Sequence, residues 1–179
     1  MNFITTKKQS VVIVLLSFII VTFSVFYSNP SFSQKTLTTS QDELKSLLAI
    51  HKGKVIYIDF WASWCGPCRK SFPWMNKIQS TYNPENFTVI SINVDNDIAL
   101  AQAFLHSLPA NFPVVYDPKG ELAKKYKIKG MPSSYLINTH GEIVQLHTGF
   151  FSKKIKLYEQ EITQLLRLTT NNKLTKNNL

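Results

Sequence analysis

Cysteine is scarce: there are two in 179 residues. Two cannot build a disulfide scaffold, and they cannot complete a four-cysteine zinc or iron–sulfur site. Six glycines and eight prolines are too few for collagen-like or low-complexity sequence. Acidic residues are also short, with 11 Asp+Glu against 20 Lys+Arg and a net charge of +9. The surplus is scattered as Lys119, Lys124, Lys125, Lys127, Lys129, Lys153, Lys154 and Lys156, the spacing of solvated helix faces. No basic run alternates with aromatics, so no nucleic-acid partner is expected. Apolar residues are plentiful. With 44% hydrophobic and 17% charged, the chain is not disordered overall. Its length suits one domain with appendages, large enough to bury roughly two-thirds of its unfolded surface without disulfide staples.

The N-terminus reads as an address. Lys7 and Lys8 precede an uncharged apolar run from Val11 to Tyr27, the layout of a secretory signal. Pro30-Ser31-Phe32-Ser33 ends small–x–small, which places cleavage after Ser33 and a mature start at Gln34. The competing reading is an uncleaved anchor of the same orientation, with Lys7 and Lys8 kept inside. Against it, the run falls short of a comfortable span of about 20 residues, and Ser17, Thr22 and Ser24 dilute it. No cysteine near its end could be acylated, which excludes a lipoprotein. Both readings put the domain outside the cytoplasm and allow membrane association through residues 11–27. The expected organisation is an address over 1–33, a domain over 34–168 and a flexible polar tail over 169–179.

Within the domain, strands and helices alternate. Ser40-Gln41-Asp42-Glu43 has capping-box spacing before Leu44, Leu47 and Leu48, predicting a helix that ends near Gly53. Residues 54–60 form a nearly continuous apolar run with β-branched residues, a strand buried on both faces. A helix follows from about Cys65 to Tyr82, with Pro73 expected to kink it. Phe87 to Val94 is a second buried strand; Asp97 to Ser107 is a helix with Ile98, Ala101, Phe104 and Leu105 on one face; Phe112 to Asp117 is a third strand. A short helix over Glu121–Tyr126 leads to apolar strands at Ser134–Asn138 and Glu142–Thr148, joined by the Thr139-His140-Gly141 turn. Ser152 is expected to cap a last helix running to about Leu168, with Ile155, Tyr158, Ile162 and Leu165 toward the core. The order argues for an α/β fold with a central mixed sheet flanked by helices.

Both cysteines fall in Trp64-Cys65-Gly66-Pro67-Cys68-Arg69, where a strand passes into a helix. Cys65 lies at the helix start, where unpaired N–H groups and the helix dipole favour an anion. A thiolate there has a lowered pKa and is the nucleophile. Cys68, one turn later and more buried, can attack the mixed disulfide formed at Cys65 and release the product. Gly66 and Pro67 keep the turn tight and fix the helix entry. There are two competing readings. One is half a zinc site, for which His51, His106, His140 and His147 show no ligand spacing. The other is a purely structural disulfide, for which so small a loop returns little loop-closure entropy.

The stretch Ile58-Asp59-Phe60-Trp61-Ala62-Ser63-Trp64-Cys65-Gly66-Pro67-Cys68-Arg69 resembles the active-site stretch of the thioredoxin superfamily. Lys129-Gly130-Met131-Pro132-Ser133 resembles its cis-proline loop. The interposed helix and strand near 97–116, Phe72-Pro73-Trp74-Met75 and the secretory N-terminus resemble the TlpA/ResA-like branch, extracytoplasmic thiol–disulfide oxidoreductases that are often reductases.

The resemblance implies a thioredoxin-like fold over about Thr38–Leu168. It implies a redox pair Cys65–Cys68, a groove shaped by Trp64, Gly66, Pro67, Met131 and Pro132, and a cis bond at Pro132. Asp59 matches the superfamily's buried acid, which would pass a proton to or from Cys68; the competing reading is a solvated or lysine-paired strand-end acid. Two departures stand out. ResA-like members often carry a glutamate where this chain has Ser71, so that acid's role does not carry over. Ser91 stands where thioredoxin places a lysine near its buried acid. Trp61 and Trp74 are expected to pack, Trp64 to contact substrate, and Arg69 either to bias the cysteines or to be solvated. No metal or organic cofactor is called for, because the electrons reside in the cysteine pair. The expected partners are protein thiols and disulfides and a membrane electron donor. Gly66-Pro67 between the cysteines matches reducing thioredoxins. The reading from a different class is a thioredoxin-like binding or chaperone module with incidental redox activity. A thiol peroxidase would need a P-x-x-x-T/S-x-x-C pattern, which is absent. N-terminal sequencing of the expressed protein separates the two readings of the address: Gln34 as first residue is the expected result, and an intact N-terminus is the anchor's signature.

Overall fold

The computed structural model describes residues 39–82 and 84–176, with side chains to 169. The address, including the apolar run 11–27, lies outside the described residues. The elements are α1 (Ser40–Ile50), β1 (Val55–Trp61), α2 (Gly66–Thr81), β2 (Phe87–Asn93), α3 (Ile98–Ser107), β3 (Val114–Tyr116), α4 (Glu121–Lys125), β4 (Ser133–Ile137), β5 (Ile143–Thr148) and α5 (Ile155–Lys176). They build a mixed five-stranded sheet in the order β3-β2-β1-β4-β5. β1 pairs in parallel with β2, and β2 with β3; β1–β4 and β4–β5 are antiparallel. This is the expected α/β thioredoxin-like architecture.

β1 is the middle of the sheet and all seven of its residues are buried. Its side chains alternate between two cores, as period-two geometry requires. Val55, Tyr57 and Trp61 enter a cluster with Phe72, Met75 and Ile78 of α2 and Tyr158 and Ile162 of α5. Ile56, Ile58 and Phe60 enter the other, with Leu44 of α1 and Leu122 of α4. The interposed α3 is structural: its Phe104 ring lies 4.7 Å from that of Trp61 and 4.8 Å from that of Phe72. β3 extends the parallel side of the sheet.

Several expectations are corrected. The α1 cap is one residue earlier than the Ser40–Glu43 spacing suggests. Asp42 N donates to Thr39 Oγ1 (3.1 Å) and Thr39 N donates to Asp42 Oδ2 (3.4 Å), because the Ser40 hydroxyl is committed to buried Asp117 (3.0 Å). Ser152 caps nothing; it opens a 3-10 turn over Ser152–Lys154 whose preceding residue, Phe151, supplies no side-chain cap. α5 then continues to Lys176 rather than ending near Leu168. The apolar residues of β5 are largely exposed, with Ile143 at 51%, Val144 at 40% and Leu146 at 54%. β5 is an edge strand, so its apolar pattern does not guarantee burial.

Phe72 packs edge-on against Trp61 and Phe104 and at a tilt against Phe112, tying α2 to β1 and α3. Phe72→Ala is expected to destabilise the domain by about 3–5 kcal/mol, read as a lower urea midpoint with an unchanged slope.

Candidate active site

The loop after β1 is held before it reaches the cysteines. Buried Asp95 accepts hydrogen bonds from Ser63 N (2.9 Å), Ser63 Oγ (3.0 Å) and Asn93 Nδ2 (2.8 Å). Val94 N donates to Trp61 O (2.9 Å), and Cys65 N to Ala62 O (3.1 Å). The chain therefore enters α2 with Cys65 as its N-cap, in extended conformation, and Pro67 in the first turn, where its missing N–H costs nothing. Cys65 Sγ accepts the Cys68 backbone N–H at 3.2 Å. The two cysteines are disulfide-bonded, with Cα atoms 5.3 Å apart. Cys68 is fully buried, Cys65 is 4% exposed, and Gly66 and Pro67 are exposed. On reduction, the sulfur that faces an unpaired N–H at the positive end of a helix is the one stabilised as a thiolate. Among the described residues, no three His, Cys, Asp or Glu side chains group as a metal site.

The Met131–Pro132 bond is cis. Gly149 N donates to Pro132 O (2.7 Å), and Ser133 Oγ donates to Gly130 O (2.6 Å), so this loop is braced from both sides. Met131 packs against the cluster that contains both cysteines. The tryptophans separate by environment: Trp61 and Trp74 are buried, whereas Trp64 is 70% exposed beside Cys65. Arg69 is exposed but not simply solvated, since its guanidinium lies 4.7 Å over the Phe104 ring. Ser71 is buried and donates to the Cys68 carbonyl (2.9 Å).

Asp59 is 1% exposed, and its Oδ2 has no hydrogen-bond partner. The reading of a solvated or lysine-paired acid is overturned: it sits within the central strand, and burial holds its pKa well above the ordinary carboxylate range. It lies on the α2-facing side of β1, between Tyr57 and Trp61. Its register partners are Ser91 of β2 and Ser134 of β4. Sequence reasoning missed Asp95, which shapes the loop, and missed the polar side chains that share Asp59's face of the sheet. There Tyr57 Oη donates to Ser134 Oγ (2.7 Å), and His147 Nε2 lies 2.9 Å from Glu161 Oε2. Polar residues interrupting apolar strands were the available signal.

A helix-capping dithiol backed by a buried acid and flanked by a cis-proline loop defines the thiol–disulfide oxidoreductases of thioredoxin-like fold. Residues 27–165 match the Redoxin family model, and the chain belongs to that family, as a TlpA/ResA-like member of the thioredoxin superfamily. It is 31% identical over 135 residues to the thiol–disulfide oxidoreductase ResA of Bacillus thuringiensis, covering 75% of this chain and 76% of that one. It is 30% identical to ResA of Oceanobacillus iheyensis, over 67% of this chain and 62% of the relative's length. A crystal structure described as a thiol:disulfide interchange protein DsbE from Chlorobium tepidum is 45% identical with a TM-score of 0.65, over 66% of this chain and 84% of that one.

Burial of Asp59 makes the stability of the oxidised protein depend on pH. With the native pKa raised, the folded state keeps its proton where the unfolded chain has lost it. Stability contributed by this group is complete below the unfolded pKa of about 3.9 and declines as pH rises through the native value. Asp59→Asn is expected to remove that decline. Urea unfolding from pH 4 to pH 9 should show the variant gaining on the wild type as pH rises; parallel curves would contradict this account.

Proposed function

We propose that this chain is an extracytoplasmic protein-disulfide reductase working through Cys65 and Cys68. The observation that carries the reading is the Cys65 sulfur receiving the Cys68 N–H at the start of α2, with Cys68 buried behind it. The Cys65 thiolate attacks one sulfur of a substrate disulfide. A mixed disulfide forms, and the first substrate sulfur leaves and takes up a proton. Asp59, in its ionised form, then takes the proton of Cys68, which attacks Cys65 Sγ, forms the Cys65–Cys68 bond and expels the second substrate thiolate. Two electrons pass to the substrate.

Exposed Trp64 supplies apolar contact at the point of attack. Gly66, Pro67, Met131 and Pro132 shape the groove, with the Met131 main chain offered to an extended substrate segment. The reducing direction is supported by Gly66-Pro67 between the cysteines. The location is supported by Lys7, Lys8 and the apolar run from Val11 to Tyr27. A reductase in an oxidising compartment needs electrons delivered to it, and a membrane dithiol protein is the donor class that fits.

Insulin reduction by the intact protein, with Cys65→Ser as control, is the direct test. Activity in the wild type and its loss in the variant are expected; inactivity of both would leave the binding-module reading. Direction is read from the potential of the Cys65–Cys68 couple. A value near about −270 mV fits a reductase, and one near about −120 mV reverses the direction.

A further inference from the structure

Edge strands are commonly protected by charges of their own. β5 has no lysine, arginine or carboxylate, yet its Ile143 and Leu146 are more than half exposed. The charges stand opposite it. The segment running from α4 to the cis-proline loop places Lys125, Lys127 and Lys129 along a groove of about 690 Å³, lined on its other side by Tyr135, Ile143 and Leu146. No acidic residue lines this groove. Among the described residues, none of the three lysines takes part in an ion pair. The lysine wall is held in place. Tyr126 O accepts the Tyr135 hydroxyl, and Ile128 N donates to Ala123 O (2.9 Å). Lys127 takes a left-handed φ of 54° just past the end of α4, where helices usually end on glycine. Lysine stands there against that preference, with its side chain in the groove wall.

The groove is continuous with the redox site. Met131 packs against the cluster that holds both cysteines, while Lys129 and Ser133, on either side of it, line the groove. Ser133 is paired with Thr148 at the end of β5 nearest the cis-proline loop, and Thr148 also lines the groove. From Thr148 the lining runs down β5 to Ile143, five residue steps or about 17 Å of strand. A segment crossing Met131 can therefore continue into the groove for several residues. Its exposed apolar side asks for apolar side chains, and its three unpaired cations ask for carboxylates. Other occupants fit the charge poorly. The apolar run 11–27 of this chain has no acid and follows Lys7 and Lys8, and a second copy brings a net charge of +9.

We propose that this groove is a second recognition site for the protein substrate, taking an acidic and apolar segment that flanks the cysteine attacked by Cys65. The proposal rests on the reading of the chain as a disulfide reductase. Lys125, Lys127 and Lys129 attract and orient the segment, and Ile143 and Leu146 receive its apolar side chains. These residues set specificity and take no part in the exchange of sulfur bonds.

The test uses three synthetic peptides that differ only in the residues alternating with leucine around one cysteine: aspartate, serine or lysine. The cysteine is disulfide-bonded to 2-mercaptoethanol. Cys65 attacks the peptide sulfur and releases mercaptoethanol as its thiol. Cys68 then attacks Cys65 and releases the reduced peptide, so two electrons pass from the protein to the peptide disulfide. Acid-quenched samples of the reduced full-length protein are separated by chromatography. Each rate is divided by the same protein's rate on hydroxyethyl disulfide, which is too small to span both sites. The aspartate peptide is expected to react on the order of tenfold faster than the lysine peptide at low salt, with the gap closing as salt is raised. Lys125→Glu/Lys127→Glu/Lys129→Glu should reverse the order. Lys45→Glu/Lys52→Glu/Lys119→Glu, an equal change at exposed positions outside the groove, should keep it. Ile143→Ser/Leu146→Ser should slow all three peptides. Equal rates on the three peptides, or the same loss of preference in both lysine variants, would overturn the groove and leave the reductase standing. A wild type without the preference, whose groove-lysine variant sediments less with phosphatidylglycerol vesicles or no longer dimerises, would give the groove to lipid or to a second copy and equally overturn the proposal. Failure to reduce hydroxyethyl disulfide would remove the reductase reading, and the groove's role with it.

Discussion

β1 is hydrogen-bonded on both sides and packed on both faces, so nothing on it reaches water except through another element. This confinement sets much of what surrounds it. Three apolar side chains anchor each of two cores, which places α2 and α5 on one side and α1 and α4 on the other. The one carboxylate on the strand is forced toward its neutral form. The strand's C-terminal end is also where the chain must turn out of the sheet, and the turn brings Cys65 to the start of α2. Ligand and redox sites in α/β sheets gather at such carboxyl ends for the same reason, since helix N-termini converge there.

The site is thus held by a few strong polar contacts on an apolar base. Asp95 grips the loop before Cys65, Cys68 N–H meets the Cys65 sulfur, and Gly149 N–H braces the cis-proline loop. Asp95 and Gly149 take no part in the dithiol chemistry itself. They reduce the freedom of the parts that do, so a small helix-terminus field acts on a sulfur already in place. The aromatic group of Trp61, Phe72 and Phe104 fixes α2 from behind, and through Phe104 the interposed α3 becomes part of that support.

Element types were legible because β1, β2 and the helices have strong periodic patterns, and the cysteine motif was legible because its residues are contiguous. Failures came where two remote segments compete for one group. Thr39 rather than Ser40 caps α1 because Asp117, far along the chain, takes the Ser40 hydroxyl. β5 looks as apolar as β4, but only its neighbours decide that it is an edge. The end of α5 was misplaced because a polar tail reads the same whether helical or not.

What the sequence by itself determined is the chemistry: two cysteines three residues apart at a strand–helix junction, a lone acid in an apolar strand, and a Met–Pro loop downstream. Local spacing and residue type suffice for the dithiol; the acid and the Met–Pro loop take their roles from the resemblance to the thioredoxin superfamily. Only the tertiary structure decided which groups share an environment. Asp59, Ser134 and His147 become neighbours through antiparallel register, and a one-residue slip would send each to the opposite face. Register comes from burial summed over the whole sheet, which no segment read alone contains.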